Sequence, residues 1–473
     1  MDFIKIVDVL SGFLWNYVLL FCLVGIGIYM SIRLKFPQFT RLFPALGKIF
    51  RDIKENKPVE EGRMTPFQSL STAIAAQVGT GNIVGVATAV ASGGPGAAFW
   101  MLLSAFFGMS TIFCEAVLAQ VYREKRNGEL VGGPAYYIKN GLKNKYLAGF
   151  FAVTCIVALG IVGIMVQSNS VVESLKTSVK LPSTITIIGL IAFVGIVLTG
   201  GMDRIAKFTE KVVPVMAFSY VFGCLVIIVM FSNKLLPAIG LIFEGAFTPQ
   251  AIGGGVLGIT LRDTIRYGLA RGLFSNEAGM GSTPHSHAVA HTDHPAEQGF
   301  TAMIGVFIST FLICLSTIII NLVSGSYNMN IPAAEMAKSA TLMTQNAFIK
   351  GFYSFGGIFL SLSLTFFSLT TIVGWYFFAE SNIKYIAGNK KPIIIVFRII
   401  VLIMLAVAPI FQGDFVWKLS DLFMGLMALP NLIALILLSN KSVSILKDYD
   451  KCVKEGNIPV SYTHLTLPTI LLV

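Results

Sequence analysis

The sequence predicts an all-α polytopic membrane protein with about eleven transmembrane helices, and three observations support this prediction. Hydrophobic residues make up 55% of the 473 residues and charged residues only 12%, whereas a soluble domain carries roughly 25% charged residues. Apolar runs of about 20 residues, the length that crosses ~30 Å of hydrocarbon, recur along the whole chain. The basic residues collect in alternate loops between these runs. Together these features exclude a soluble globular protein.

Eleven apolar stretches define the predicted spans. Their ends are fixed only to within about 2–4 residues, because the polar boundary of a span is gradual. In chain order the spans are 13–32, 66–91, 98–122, 147–172, 184–200, 212–232, 263–290, 298–323, 353–379, 393–411 and 418–438.

The distribution of the 35 lysine and arginine residues gives the orientation of these spans. Cytoplasmic loops of membrane proteins carry an excess of basic residues. Alternate loops place 24 of them on one side of the eleven spans and seven on the other, while four lie in or beside helices. We therefore predict that the N-terminus is outside and the C-terminus inside. The net charge of +11 reflects this membrane orientation, and no nucleic-acid partner is expected.

The second predicted span is interrupted at its middle by the sequence QVGTGNIVG, residues 77–85. A glycine inside a helix costs about 1 kcal/mol relative to alanine, so Gly79, Gly81 and Gly85 disfavour a continuous helix. Within a bilayer, the freed backbone groups need partners, and such a break is tolerated only next to protein or a water-filled cavity. The end of a half-helix attracts ions of the opposite sign. The break therefore predicts a binding site.

A second break, RGLFSNEAGMGS at 271–282, interrupts the seventh span with Gly279 and Gly281. Gly79 and Gly279 are 200 residues and five spans apart. Because five is odd, the two units enter the membrane from opposite sides, which is typical of an inverted repeat in a transporter. We predict an extra N-terminal helix and basic loop (1–65), two five-helix repeats (66–232 and 263–438), a cytoplasmic tail (439–460) and a non-native terminal scar (461–473).

Three motifs resemble those of a known family. They are TAIAAQVGTGNIVGVATAVASGGPGAAFWM (72–101), GGPAYYI (132–138) and GLFSNEAGMGSTPHSHA (272–288). They are similar to the signatures of the alanine/glycine:cation symporters, and the similarity extends from the first span to about residue 440. The resemblance implies a LeuT-type fold, Na⁺ as the coupling ion, alanine or glycine as substrate, and a location in the inner or plasma membrane. It implies no organic cofactor and no required protein partner.

The resemblance also implies a substrate site at the first break, with Gly79, Thr80 and Asn82. The backbone N–H groups and the Asn82 amide could bind a carboxylate, although glycines also serve only for close helix packing. Gln167 in the fourth span resembles a substrate-contacting glutamine, and its side-chain oxygen could accept a hydrogen bond from an ammonium group. Alternatively, Gln167 joins two helices without touching substrate.

Four further residues complete the substrate site that the resemblance implies. Asn276 offers both a donor and an acceptor, and Phe274 offers a flat apolar wall. Ser275 lies between them in the second break. Trp375 in the ninth span resembles an aromatic residue that closes the pocket, but it could equally belong to the belt of tryptophans at a membrane interface. A pocket with aromatic walls would suit alanine or glycine.

For Na⁺, the fold analogy points to the backbone carbonyls of Ala75 and Val78 facing the hydroxyl groups of Thr370 and Thr371. A small hard cation takes several oxygen ligands, and neutral ones suffice for reversible binding. The alternative for each threonine is a hydrogen bond to a carbonyl of its own helix.

Charged residues inside the spans are costly unless they face a partner or water. Arg271 and Glu277 could pair across the second break, and Glu277 or Glu115 could instead relay protons. The histidines at 285, 287, 291 and 294 do not share one helix face and lack an HExxH context, so we expect no metal centre there.

The leading hypothesis is therefore Na⁺-coupled symport of alanine or glycine by alternating access. The alternatives are an uncoupled or proton-coupled permease for small amino acids, and, much less favoured, an intramembrane enzyme. The sequence offers no nucleophile motif, Walker A loop or dinucleotide fingerprint in a suitable context. We expect the protein to bind an amino acid and Na⁺ in the lipid bilayer and not to be an enzyme.

Overall fold

The structure is a computed structural model, and it describes residues 3–55, 63–126, 129–248, 259–328, 331–338, 340–411 and 413–455. The terminal scar predicted at 461–473 lies outside the described residues, as does the last part of the predicted tail. The division into two repeats remains a prediction.

The first half of the chain is helical apart from one small hairpin. Three helices are interrupted or joined by π-helical turns, at Leu14–Leu19, Gly81–Gly85 and Ala158–Gly163. The elements are α1 (Phe3–Phe13), α2 (Leu20–Arg33), α3 (Pro37–Thr40), α4 (Leu42–Glu55), α5 (Pro66–Gln77), α6 (Val86–Gly93), α7 (Ala97–Val121), β1 (Glu124–Arg126), β2 (Glu129–Val131), α8 (Pro134–Gly141), α9 (Lys145–Val157), α10 (Ile164–Val179), α11 (Ser183–Thr199), α12 (Gly201–Met230) and α13 (Leu235–Phe247).

The second half repeats this helical character. A fourth π-helical segment, Phe307–Cys314, joins two of its helices. The elements are α14 (Leu261–Asn276), α15 (Pro284–Ala288), α16 (Pro295–Val306), α17 (Leu315–Val323), α18 (Ala333–Lys338), α19 (Ala340–Phe352), α20 (Ser354–Ala387), α21 (Lys391–Val407), α22 (Gly413–Leu437) and α23 (Ser439–Lys454).

The described part of the chain contains eight helices that are long and apolar enough to cross a membrane, or nine if the bent pair α5 and α6 counts as one span. Each of the eleven predicted stretches overlaps a helix, but α11 is shorter than these spans and the stretch 263–290 divides into α14 and α15. The polytopic helical architecture is thus confirmed, while the count of eleven is not established. The eight are Lys5–Arg33, Ala97–Val121, Lys145–Val179, Gly201–Met230, Pro295–Val323, Ser354–Ala387, Lys391–Ile410 and Phe415–Leu437.

The first break lies between α5 and α6. Helix α5 begins with a capping box in which Thr65 and Gln68 exchange side-chain and backbone hydrogen bonds. It ends at Gln77, and the next residue, Val78, has φ −103° and ψ 89°, which leaves the helical region. The chain resumes as a helix at Gly81, and α5 and the helical segment that follows it meet at 55°. The glycine-rich sequence therefore unwinds the backbone where the sequence predicts.

The second break follows α14. Glu277 caps this helix in the left-handed conformation with φ +57°, and Gly279 and Gly281 have φ +87° and +82°. Glycine adopts such angles without strain because it lacks a Cβ atom, whereas glutamate does so rarely. The backbone turns back into a helix at α15.

The two breaks lie in the protein interior. Helix α7 packs against α14 and α16, and α20 packs against α5, α9 and α10. Most residues from Leu70 to Ile83 and from Gly272 to Ala290 are buried. Irregular backbone at membrane depth needs such burial, because lipid cannot satisfy free N–H and C=O groups.

Candidate substrate and ion site

At the first break, two backbone N–H groups donate hydrogen bonds to side chains. The N–H of Gly79 donates to Oδ1 of Asn82 at 3.1 Å, and the N–H of Thr80 donates to Oε1 of Gln167 at 3.3 Å. All four residues are buried. The structure therefore brings Gly79, Thr80, Asn82 and Gln167 together. Each N–H is satisfied by a side-chain oxygen that a ligand carboxylate could replace.

Asn82 also reaches the second break. Its Nδ2 donates to Oγ of Ser275 at 3.0 Å and to Oγ of Ser309 at 2.9 Å. The hydroxyl of Ser309 in turn donates to the carbonyl of Ser275 at 2.9 Å. One amide thus connects the two interrupted helices and the π-helical segment after α16.

A second connection runs from Gln77, the last residue of α5. Its Nε2 donates to the carbonyl of Asn276 at 2.7 Å. The side chain of Asn276 binds only residues of the second half of the chain. It donates to Oγ1 of Thr310 and accepts from the N–H of Ala278. Oε1 of Gln77 and Oγ1 of Thr80 are buried and have no hydrogen-bond partner among the described residues. A buried oxygen without a partner costs about 1–3 kcal/mol, so both oxygens are suited to bind a ligand or cation.

The predicted ion ligands separate into two groups. Oγ1 of Thr371 lies 2.9 Å from the carbonyl oxygen of Ala75 and 3.2 Å from that of Val78. The neighbouring Thr370 instead donates to carbonyls of its own helix, at Phe366 and Phe367. Three of the four predicted residues therefore place oxygen atoms at one point, and Thr370 does not.

Gly79 packs directly against these oxygens. A Cβ atom at this position would lie 2.5 Å from Oγ1 of Thr371 and 3.2 Å from Oε1 of Gln167. Only glycine leaves enough room here for the Thr371 hydroxyl and the Gln167 side chain to stay in place. The close approach explains why a glycine stands between the two halves of the site.

Phe274, the predicted apolar wall, lies beside the first break. Its ring lies 3.0 Å from the Cβ position of Gly81 and packs against Trp417 at a centroid distance of 5.6 Å. Arg271 lies over both rings and pairs with Asp421 at 3.5 Å. The predicted pair between Arg271 and Glu277 is therefore wrong. Asp421, from another helix, comes close to Arg271 through tertiary packing.

Trp375 lies in the interior, with 3% of its surface exposed, rather than on the lipid-facing surface. Its Nε1 donates to Oε1 of Glu277 at 2.7 Å. The other carboxylate oxygen of Glu277 accepts a hydrogen bond from the hydroxyl of Ser282. The indole ring packs against Gly163, whose Cβ position is 2.6 Å from Cζ3.

Glu115 in α7 has a role that the sequence analysis did not assign. Its carboxylate accepts from the N–H groups of Gly279 at 3.2 Å and Gly281 at 3.0 Å, and from Nδ2 of Asn431 at 2.6 Å. It is completely buried. Glu115 thus satisfies the backbone that the second break sets free. A glutamate inside an apolar span was the available signal, but its partner could not be identified from the sequence.

The four histidines have separate environments. His285 contacts Asn382 and the carbonyl of Ser282, and His287 contacts Gln298. His291 contacts Arg63, and His294 contacts Asp448. The described ranges contain no group of three or more histidine, cysteine, aspartate or glutamate side chains suited to a metal ion.

Comparisons with known proteins find relatives along nearly the whole chain. The sodium:alanine symporter family model matches residues 1–463. The sodium/alanine symporter AgcS of Methanococcus maripaludis is 38% identical over 457 residues, which cover 95% of this chain and 98% of AgcS. The amino-acid carrier protein AlsT of Bacillus subtilis is 36% identical over 459 residues, covering 97% and 94% of the two chains.

Among solved structures, a manganese transporter of Eremococcus coleocola superposes with a TM-score of 0.50 at 14% identity, over 84% of this chain and 82% of the transporter. At this identity the similarity concerns the fold alone.

The family model matches nearly the whole chain, and the two named carriers are 36–38% identical to it. The chain belongs to the sodium:alanine symporter family.

Proposed function

We propose that this protein imports a small neutral amino acid, alanine or glycine, together with Na⁺, by alternating access in a LeuT-type five-plus-five inverted repeat. The observation that carries the proposal is the meeting of two interrupted helices at one buried place. Between Ala75 and Thr80, two backbone carbonyls and two N–H groups bind side chains of other elements or of the break itself. Such a segment can bind a cation and an anionic group side by side.

The cation would bind to the carbonyl oxygens of Ala75 and Val78 and to the hydroxyl oxygen of Thr371. The hydroxyl donates to these carbonyls at 2.9 and 3.2 Å, and it can rotate its proton away so that its lone pairs face an ion. The C-terminal end of α5 adds a partial negative charge. Neutral oxygens allow the ion to be released on each cycle.

The amino-acid carboxylate would take the N–H groups of Gly79 and Thr80. Asn82 and Gln167 accept these hydrogen bonds in the structure. A carboxylate that replaces Gln167 at Thr80 would free the glutamine oxygen to accept from the substrate ammonium group. Phe274 and Trp375 would then limit the space for the side chain, which favours alanine or glycine.

The short distance along the chain between the two proposed binding positions would couple the ion to the substrate. Residues 75–78 would hold the ion, and residues 79–82 would hold the carboxylate, so each ligand stabilises the backbone conformation that the other needs. Such coupling is reciprocal in binding free energy. The family resemblance supports a location in the inner or plasma membrane, and the distribution of basic residues predicts that the N-terminus is outside.

The first test of this function is uptake of labelled alanine into proteoliposomes with an inward Na⁺ gradient, compared with K⁺ or choline. We expect concentrative uptake that requires Na⁺. Asn82→Ala is expected to lower the uptake rate about tenfold, because it removes the acceptor of the Gly79 N–H and the link to Ser275.

The alternatives give different results in the same experiment. Uptake that only equilibrates, whatever the cation, would indicate an uncoupled permease. Accumulation driven by a pH gradient without Na⁺ would indicate proton coupling. No movement of alanine or glycine would overturn the proposed substrate.

Adjacent threonines allow a matched test of the ion site. Thr371→Ala removes the hydroxyl that meets Ala75 and Val78, and we expect the Na⁺ concentration for half-maximal uptake to rise about tenfold or more. Thr370→Ala removes a hydroxyl that binds only its own helix and Met216. We expect this control to change the Na⁺ dependence less than about twofold. Equal effects of the two substitutions would argue against the ion site.

A further inference from the structure

Glu277 is the one carboxylate of the second break, and its environment is unusual. Its two oxygens accept from Nε1 of Trp375 and from the hydroxyl of Ser282, both neutral donors. The nearest candidate cation in the sequence, Arg271, instead pairs with Asp421. The residue is buried and adopts a left-handed backbone conformation that glutamate seldom occupies. These features are expected where a particular side chain is needed at this position.

The indole that Glu277 binds lies one helical turn from the candidate site on two helices. Trp375 follows Thr371 by four residues in α20, and Gly163 precedes Gln167 by four residues. Thr371 and Gln167 both lie against Gly79. The indole of Trp375 packs on Gly163. Trp375 and Gly163 therefore lie on the same side of the site, one helical turn away from Thr371 and Gln167 along their respective helices.

That side is the cytoplasmic one in the predicted orientation. The span that contains Gly163 and Gln167 starts at the cytoplasmic side, and α20 ends there. Gly163 is therefore closer to the cytoplasm than Gln167, and Trp375 is closer to it than Thr371. The indole therefore lies beneath the first break, as a floor between the substrate position and the inner surface. A floor of this kind limits the length of the side chain of a bound amino acid. It has to move before the amino acid can be released to the cytoplasm.

We propose that Glu277 is a positioning residue that holds the Trp375 indole as the cytoplasmic floor of the site and so restricts transport to amino acids with small side chains. This inference rests on the proposed function. The role depends on the reach of the carboxylate, which has to span from the cap of α14 to the indole N–H. Its negative charge is not required, because a neutral amide oxygen can also accept the bond.

Two substitutions at position 277 separate reach from charge. Glu277→Gln keeps the length and an acceptor oxygen but loses the charge, whereas Glu277→Asp keeps the charge and is one methylene shorter. Trp375→Phe removes the N–H and shrinks the floor. Gly163→Ala leaves Glu277 unaltered but displaces the indole or the π-helical turn, because its Cβ would lie 2.6 Å from Cζ3 of Trp375 and 2.7 Å from the carbonyl oxygen of Ala158.

The measurement is displacement of bound labelled alanine from purified protein in Na⁺ by unlabelled 2-aminobutyrate, valine and leucine. For each variant it gives the affinity for the larger amino acid relative to alanine. We expect Glu277→Gln to stay within about twofold of the wild-type ratio. We expect Glu277→Asp, Trp375→Phe and Gly163→Ala to shift the ratio toward the larger amino acids by about tenfold, the size of a one-methylene discrimination.

Different outcomes overturn different statements. If the wild type does not bind alanine in Na⁺, the proposed function fails and this inference fails with it. If the wild type binds alanine but Glu277→Asp keeps the wild-type ratio and Glu277→Gln shifts it, the charge matters and the positioning role is overturned. Should Glu277→Asp not fold, unchanged ratios in both Trp375→Phe and Gly163→Ala show that the indole is not the floor and likewise overturn the proposal.

Discussion

Gly79→Ala is expected to lower Na⁺-dependent uptake of alanine more than about a hundredfold, the largest effect of any single methyl group in the site. The added Cβ would lie 2.5 Å from Oγ1 of Thr371. Thr371 can relieve this clash by rotating, but its hydroxyl then leaves the carbonyls of Ala75 and Val78. If it stays, the unwound segment has to move. A hundredfold loss corresponds to about 2.7 kcal/mol, within the range of about 1–3 kcal/mol for inserting a methylene into a packed interior.

The matched control is Gly189→Ala in α11, where a Cβ meets no atom within 4 Å. Both substitutions add the same methyl group. We expect the control to keep the uptake rate and the Na⁺ dependence of the wild type. Normal Na⁺-dependent uptake by the Gly79→Ala protein would show that the close packing of Thr371 on the first break is not needed for ion binding.

Glu115→Ala is expected to destabilise the folded protein by about 2–6 kcal/mol and to abolish uptake. It leaves the N–H groups of Gly279 and Gly281 without their acceptor in the interior. Each buried N–H that loses its partner costs about 1–3 kcal/mol, and no lipid group at this depth can replace the carboxylate. Asn431 loses a partner as well. The unwound backbone of the second break would therefore lose its conformation.

The measurement is thermal unfolding in detergent, followed by the loss of the monodisperse peak in size-exclusion chromatography, together with uptake. Glu115→Gln retains one acceptor oxygen and should fall between the wild type and Glu115→Ala. Glu173→Ala, an exposed glutamate in α10, is the control and should unfold at the wild-type temperature. Wild-type stability of the Glu115→Ala protein would mean that the break does not depend on this carboxylate.

Hydropathy predicted most helices because a span must be apolar along its whole length. It did not predict α4, which lies within the basic loop after the first span. The exposed large apolar residues of α4, Phe43 and Phe50, are seven residues apart and so lie on one helical face. The same helix also contains the charged residues Lys48, Arg51, Asp52, Lys54 and Glu55. An average over the segment therefore conceals the helix, although the spacing of 3.6 residues is present.

The first break could be predicted from its glycines, because their effect on a helix is local. The contacts of Ser309 and Thr310 with the second break could not. Both residues stand in an apolar run, where serine and threonine commonly bond to their own helix. The partner of Arg271 was also beyond local reasoning, since Asp421 is 150 residues away while Glu277 is close in sequence. Tertiary packing decides among such partners. The binding roles of all these residues remain predictions.

The π-helical turns imply that helical phase, as well as residue identity, determines the site. Each wide turn contains one residue more than an α-turn, and one residue of an α-helix corresponds to a rotation of about 100°. Loss of a single residue within Phe307–Cys314 would rotate α17 relative to α16 by that angle without changing its composition. Thr317, which donates to the carbonyl of Asn82, would then face another direction. Single-residue gaps at these turns would thus redirect polar side chains as effectively as substitutions.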